Sequence, residues 1–230
     1  MLRSLSFVLA IAAVPSLAHA EAARLDQGLA GFDRIELSGP FDVVWKAGAP
    51  AIKAEGDADL LARLSFESRD GVLRISATNG SATWRFNKKL NIIVSSASLS
   101  EAKLQGSGDL EVRALAAPAF SMALSGSGDL RASALKVQRL QVKLSGSGDV
   151  LVSGEAQTVA ASLAGSGDLV LKDLAAREAT LALAGSGDLV ARASQRVKVS
   201  CSGSGDIEVL GAPAEREVSK QGSCDVSFRN

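Results

Sequence analysis

The chain has 230 residues, with 25 Lys+Arg against 25 Asp+Glu, one histidine, no tyrosine and two cysteines. A balanced charge excludes the basic patch that nucleic acid or a strongly anionic membrane demands. The lone histidine, His19, lies in a leader-like segment, so the rest of the chain has no imidazole for Ser-His-Asp or Cys-His catalysis or for histidine-ligated metals.

Residues 1–20 read as a signal peptide. Arg3 is followed by the apolar run Phe7 to Leu17, and Ala18-His19-Ala20 has the small-x-small form of a cleavage site. Cleavage near Ala20-Glu21 removes one basic residue and no acidic one, leaving 24 basic against 25 acidic. The apolar run is too short for a permanent membrane helix. No later segment reaches the required length, and no cysteine stands at the cleavage point to carry a lipid. The expectation is an exported protein with no transmembrane segment, periplasmic or at the cell surface.

Residues 21–105 are irregular in texture and read mainly as strand, forming an N-terminal β region or cap. Arg34-Ile35-Glu36-Leu37 alternates, Ser38-Gly39-Pro40 breaks the pattern as a worn copy of the later glycine corner, and Phe41 to Trp45 resumes it. Asp59 to Phe66 predicts one short helix capped by Asp57 or Asp59. Asp70-Gly71 between two apolar runs predicts a hairpin turn. Leu90 to Val94 and Leu99 to Leu104 are further strands. Trp45, Trp84, Arg85 and Phe86 are read as packing beneath the cap, with a ligand-facing patch as the alternative. Lys88-Lys89 reads as a solvated strand edge.

Residues 106–230 are periodic. Gly-Ser-Gly-Asp begins at Gly106, Gly126, Gly146, Gly165, Gly185 and Gly203, in steps of 20, 20, 19, 20 and 18, and Gly222-Ser223-Cys224-Asp225 is a degenerate seventh copy. Apolar residues alternate on both sides of each copy, as in Leu140, Val142, Leu144 before Gly146 and Val150, Val152 after it. A third apolar point falls mid-repeat at Leu135, Val137 and Leu174. Spacing of two is the strand period. Each repeat therefore reads as strand, glycine corner, strand and looser return, stacked coil on coil. The glycines are expected to supply positive φ at the corner. The serine and aspartate oxygens are expected to accept backbone N–H bonds there. Seven coils at ~4.8 Å make a stack about 30 Å long. A phosphate-binding loop is excluded, because no copy continues as Gly-x-Gly-x-x-Gly and no Gly-Lys-Ser/Thr occurs.

These features together resemble the head GIN domain family, described as auto-transporter adhesins. The matching pieces are Phe32 to Val43, the Gly71-Val72-Leu73-x-Ile75 strand, the row of Ser/Ala-Gly-Ser-Gly-Asp corners, and Ile207 to Pro213. The resemblance implies an all-β, right-handed parallel β-helix-like solenoid with ~20-residue coils in an exported bacterial protein. It carries over no catalytic motif. The chain departs from the family pattern at Cys224, where the corner has glycine.

Two sets of residues carry chemistry. Cys201 and Cys224 fall one coil apart and offset by four residues; a disulfide across a tight corner and two separate thiols are both open. Asp109, Asp129, Asp149, Asp168, Asp188 and Asp206 should form a column at ~4.8 Å intervals. Adjacent charges there repel by roughly 1 kcal/mol in water and by ~3–4 at an effective dielectric of 20. Backbone N–H bonds to each carboxylate would offset this; the alternative is a cation such as calcium shared between coils, with Asp129, Asp149, Asp168 and Asp188 as its ligands. Identical aspartates in every coil argue for a structural role. The expected function is a non-catalytic, adhesin-like binding or structural module of the cell envelope, without a cofactor, contacting an envelope protein or glycan. The alternatives are a polysaccharide-acting enzyme and a self-assembling scaffold.

Overall fold

The structure, a computed structural model, describes residues 23–78 and 90–230. The leader at 1–20 and the cluster Trp84, Arg85, Phe86, Lys88 and Lys89 lie outside the described residues. Among the described residues, no helix is long and apolar enough to cross a membrane.

The fold is a β-solenoid of about six turns with ~20-residue coils. The first part of the chain contributes β1 (Ala23–Gly28), β2 (Arg34–Gly39), β3 (Asp42–Ala47), β4 (Ala51–Gly56), α1 (Ala58–Leu61), β5 (Leu64–Arg69), β6 (Val72–Ala77), β7 (Leu90–Ser96), β8 (Glu101–Gly106) and β9 (Leu110–Arg113). The second contributes β10 (Ala116–Gly126), β11 (Leu130–Leu144), β12 (Val150–Leu163), β13 (Leu169–Leu183), β14 (Leu189–Gly203), β15 (Ile207–Leu210), β16 (Glu215–Gly222) and β17 (Val226–Arg229).

From β10 onward, consecutive coils pair in parallel, in register on either side of each corner, with register irregularities mid-coil at Ala132/Leu135, Leu151/Ser153 and from Leu171 to Glu178. The mid-repeat stretch is not a loose return: β11 to β14 are single strands of 14 or 15 residues that run through it. Inward residues stack into ladders. One runs Ile75, Leu37, Leu104, Leu124, Leu144, Leu163, Leu183 and Cys201. All are buried, and each stacked pair of leucines removes apolar surface from water without a polar atom to satisfy.

The N-terminal region is built of the same coils in a different order. β2 lies between β6 and β8, and β3 lies between β7 and β9, all parallel. The chain thus lays down β2–β3, goes outward to form β6–β7, then crosses back to continue the stack as β8–β9. The sheet ladder runs unbroken through residues 105 and 106, where Gln105 faces Ser38 and Ser125, and Gly106 faces Gly39 and Gly126. Antiparallel strands close this end: β4 on β7, β1 on β4, and β5 on β6.

The helix is shorter than the sequence pattern suggested. Asp57 caps it, accepting the Asp59 N–H at 3.1 Å, but Leu64 to Phe66 belong to β5, because Leu64 is buried and pairs with Ala77. Asp70 and Gly71 turn the β5–β6 hairpin with φ of 52° and 76°, the left-handed pair that a two-residue hairpin loop requires. Trp45 is wholly buried, its Nε1 donating to Ser96 Oγ at 2.9 Å. The Ser96 hydroxyl in turn donates to Ser98 O at 2.7 Å, so the buried indole N–H and hydroxyl are both satisfied.

Candidate binding surface

The glycine corners form one ridge, and space dictates them. A Cβ on Gly126 would overlap the carbonyl oxygen of Gly106 in the coil below, and one on Gly128 would overlap that of Gly108. The same holds up the stack through Gly146, Gly165, Gly185 and Gly203. Of the six repeat-opening glycines only Gly106, at φ 143°, has positive φ, so the expected conformational reason gives way to close backbone approach. Ser127 N–H and Gly128 N–H both donate to Gly106 O, at 2.9 and 3.2 Å, which draws the corners that near.

The aspartates form a hydrogen-bonded ladder. Oδ1 of Asp109, Asp129, Asp149, Asp168, Asp188 and Asp206 each accepts the backbone N–H of the next corner aspartate, at 2.9–3.2 Å, ending on Asp225. Asp42 is the first rung, accepting Asp109 N–H at 3.0 Å. Gly39-Pro40-Phe41-Asp42 is therefore a full corner in worn form. The corner serines differ from expectation: among the described residues they make no side-chain hydrogen bond, and they lie at the exposed apex. Arg131 bridges Asp109 at 3.0 Å and Asp129 at 2.5 Å. Burial opposes the Arg131 charge, but the hydrogen bonds and charges of the two carboxylates outweigh it and raise its pKa. Among the described residues, no group of three or more His, Cys, Asp or Glu is placed to hold a metal ion. One oxygen of each rung is already committed to a neighbouring N–H, which offsets the column's repulsion from within.

Cys201 and Cys224 are bonded to each other, with 6.4 Å between their Cα atoms. Cys201 ends the leucine ladder, and the residue that faces it in the last coil is Lys220. The inward positions of β16 are thus Arg216, Val218 and Lys220, facing Val197, Val199 and Cys201. Arg216 lies over the Phe228 ring at 4.5 Å, and Lys220 pairs with Asp225 at 3.3 Å.

A broad concavity lies mid-coil. It is an open groove of about 920 Å³ that crosses the coils from Ala117 to Ala212. Val137, Ala156, Ala176 and Ala193 stack in register along its floor. One rim carries Lys136, Glu155, Ala175 and Arg192; the other carries Gln138, Gln157, Arg177 and Ser194. Small side chains at the same place in successive repeats let the backbone dip there. Among the described residues, Lys136, Arg177 and Arg192 form no ion pair, whereas the second cavity, about 560 Å³ beside the N-terminal strands, has its charges paired as Arg24–Glu55 and Lys53–Asp26.

Comparison with known proteins agrees with this architecture. Residues 31–213 match the model of the family described as "Putative auto-transporter adhesin, head GIN domain". No curated protein matches the chain. Among solved structures, a "putative adhesin" from Bacteroides fragilis NCTC 9343 superposes with a TM-score of 0.86 at 22% identity, covering 90% of this chain and 97% of that one. A "putative lipid binding protein" from Parabacteroides distasonis ATCC 8503 gives 0.71 at 22% identity, over 90% and 96%. A "putative adhesin" from Parabacteroides merdae ATCC 43184 gives 0.65 at 17% identity, over 90% and 96%. At these identities the likeness is one of fold.

Proposed function

The chain belongs to the head GIN domain family, and on that premise we propose that it is an exported, non-catalytic binding module of the bacterial cell envelope, adhesin-like, whose contact surface is the mid-coil groove. The observation that carries the reading is the groove itself: a continuous trough with unpaired cations on its rims, set on a scaffold of coils paired in parallel. Non-catalysis is supported by the aspartate ladder. General acid–base work needs two carboxylates in different environments, and Asp149, Asp168 and Asp188 repeat one environment from coil to coil.

The test is retention of the purified chain on isolated cell envelopes. Wild type is expected to bind saturably. Gln157→Trp with Ala175→Trp, two exposed rim positions, should abolish retention while leaving the melting temperature within a few degrees. Equal retention by the variant would move the binding surface elsewhere. Turnover of any polysaccharide in a panel would replace the reading with an enzymatic one.

The scaffold reading has one observation to weigh. An open solenoid end invites edge-to-edge pairing, and β16 is exposed along its whole length. Its inward Arg216, however, has no carboxylate partner among the described residues and would be buried with its charge unpaired by a second copy stacked end to end, which disfavours that contact. A single species of monomer mass in size-exclusion chromatography is the expected result.

A further inference from the structure

We infer that the groove binds a linear acidic polysaccharide, lying along the stack, with one anionic group in each disaccharide; this rests on the groove being the binding surface. The floor side chains are buried, so a ligand meets mainly what stands exposed above them. The polar groups there are Lys136, Gln138, Glu155, Gln157, Arg177 and Arg192, three cations against one carboxylate. The glycine corners carry the opposite sign, because Arg131 bridges only Asp109 and Asp129 of the aspartate column. The stack is thus acidic along its corners and net basic over the groove, a field that turns an anion toward the groove. Gln138 and Gln157 each offer donors and an acceptor, as sugar hydroxyls require. The lining holds no aromatic residue, so a neutral glycan finds no ring to stack on, whereas an acidic one can be held by charge-assisted hydrogen bonds. Over the coils from Lys136 to Ala176 the strand backbone is paired from coil to coil, so an acidic polypeptide finds no open strand edge to join.

The order of the charges along the stack selects the repeat. Lys136 stands on β11, Arg177 on β13 and Arg192 on β14. Arg177 is therefore two coil steps from Lys136 along the stack, ~10 Å, about the length of a disaccharide. The coil between them, β12, carries Glu155, which faces Lys136 in the ladder. A chain with an anion on every ring would set one beside Glu155. A chain with an anion on every second ring sets its charges at Lys136 and Arg177, with a neutral ring between them for Gln157 to hydrogen-bond. Arg192 lies one coil further; its Nε donates to Lys172 O at 3.1 Å, which holds the side chain and leaves its terminal nitrogens to add positive charge at that end of the groove.

The experiment is calorimetric titration of the purified chain with a hyaluronate hexasaccharide, which has one carboxylate in each disaccharide. A galacturonate hexasaccharide with a carboxylate on every ring, neutral maltohexaose and hexaglutamate are run alongside. Hyaluronate is expected to bind one per chain and to weaken several-fold as salt rises from about 50 to 200 mM. Lys136→Ala and Arg177→Ala should each weaken it about ten-fold, and Lys143→Ala, outside the groove, should leave it unchanged. Galacturonate should bind more weakly than hyaluronate, and Glu155→Gln should narrow that gap. Maltohexaose should give no heat. Hyaluronate affinity that is equal in wild type and in the Lys136→Ala, Arg177→Ala double variant overturns the inference, as does maltohexaose or galacturonate binding at least as tightly as hyaluronate. So does hexaglutamate binding that is lost in the double variant, which would make the ligand an acidic polypeptide. If neither acidic oligosaccharide gives heat while the rim tryptophans still abolish envelope retention, the glycan falls and the binding surface stands; if retention also survives them, both fall.

Discussion

The stack from β10 to β14 and the region from β1 to β9 use the same coil, yet they are specified in different ways. In the stack, each coil repeats its neighbour's residues, so a single solution for corner, ladder and bend serves every turn. In the N-terminal region the coils are individually built. Trp45, Phe32 and Phe41 are buried there, Trp45 facing Val94 and Val112, antiparallel strands close the end, and one coil is inserted out of chain order. Repetition makes stability a sum of equivalent neighbour terms; individual construction makes it depend on particular side chains. The difference is testable by placing the same chemical change in both halves.

The largest effect is expected at the leucine ladder. Leu163 is wholly buried between Leu144 and Leu183, and Leu163→Ala should cost ~2–5 kcal/mol, read as a lower urea midpoint. Leu73→Ala, also wholly buried but in the N-terminal region, should cost as much. What should differ is breadth: the loss at Leu163 should lower hydrogen-exchange protection in β12 and both flanking coils, while β1 to β6 keep theirs. Uniform loss of protection along the whole molecule would show that the halves unfold as one unit and that the proposed contrast has no energetic meaning.

Glycine gives the next contrast. Gly148→Ala would drive its Cβ into the Gly128 carbonyl, a backbone group that cannot step aside. A loss of about 1–3 kcal/mol is expected, the range for overpacking. At Gly31 a Cβ meets nothing within 4 Å, so Gly31→Ala should be neutral within ~0.5 kcal/mol. Thermal melts of the two variants side by side would decide whether the corners are glycine for want of room.

Much of this was legible in the sequence because repetition amplifies weak signals. One alternating pentapeptide is ambiguous; six in phase with Gly-Ser-Gly-Asp define the strand, the corner and the coil length. Cys201 and Cys224 could be placed one coil apart by counting. The same method failed where no second copy existed to compare. Asp42 went unread as a rung because Pro40 and Phe41 stand where the repeat has serine and glycine, and only the Asp109 N–H identifies it. The inverted coil order leaves no mark on local periodicity, since β2, β6 and β8 all alternate alike. The role of the corner glycines was misread for a related reason: turn chemistry is a property of one chain segment, but steric exclusion by the coil below is a property of two.

The aspartate ladder should contribute less per residue than the leucine ladder. Asp149→Ala leaves the Asp168 N–H without its acceptor and should cost about 1.5–3 kcal/mol, the range for hydrogen bonds to charged groups. Asp149→Asn keeps an acceptor oxygen and removes one charge from the column, so it should cost clearly less. A calcium chelator should leave the wild-type melting temperature unchanged. A drop of several degrees, restored by calcium, would instead make the ladder a cation site and put the Asn variant level with Ala.

The smallest effect separates two ion pairs, one from each half. A hydrogen bond from Arg113, at 2.6–2.7 Å, holds Glu111 below its ordinary carboxyl pKa against the opposing effect of burial. Arg196 does the same to the fully exposed Glu215. A carboxyl whose pKa is depressed by folding stabilises the protein above its unfolded value, and that stability is lost as pH falls through the lower, folded value. Glu111→Gln should therefore destabilise at pH 7 by less than about 1 kcal/mol after solvent screening, and the gap to wild type should close on acidification below the usual glutamate range. Glu215→Gln should show no measurable gap at either pH, because its pair lies fully in solvent on the last coil, where holding two long side chains together gains little. Urea midpoints from pH 7 down to pH 3 would test both. An equal, closing gap at Glu215 would mean that the terminal coil is held as firmly as the interior ones, and that its exposed strand is no weaker an element than those beneath it.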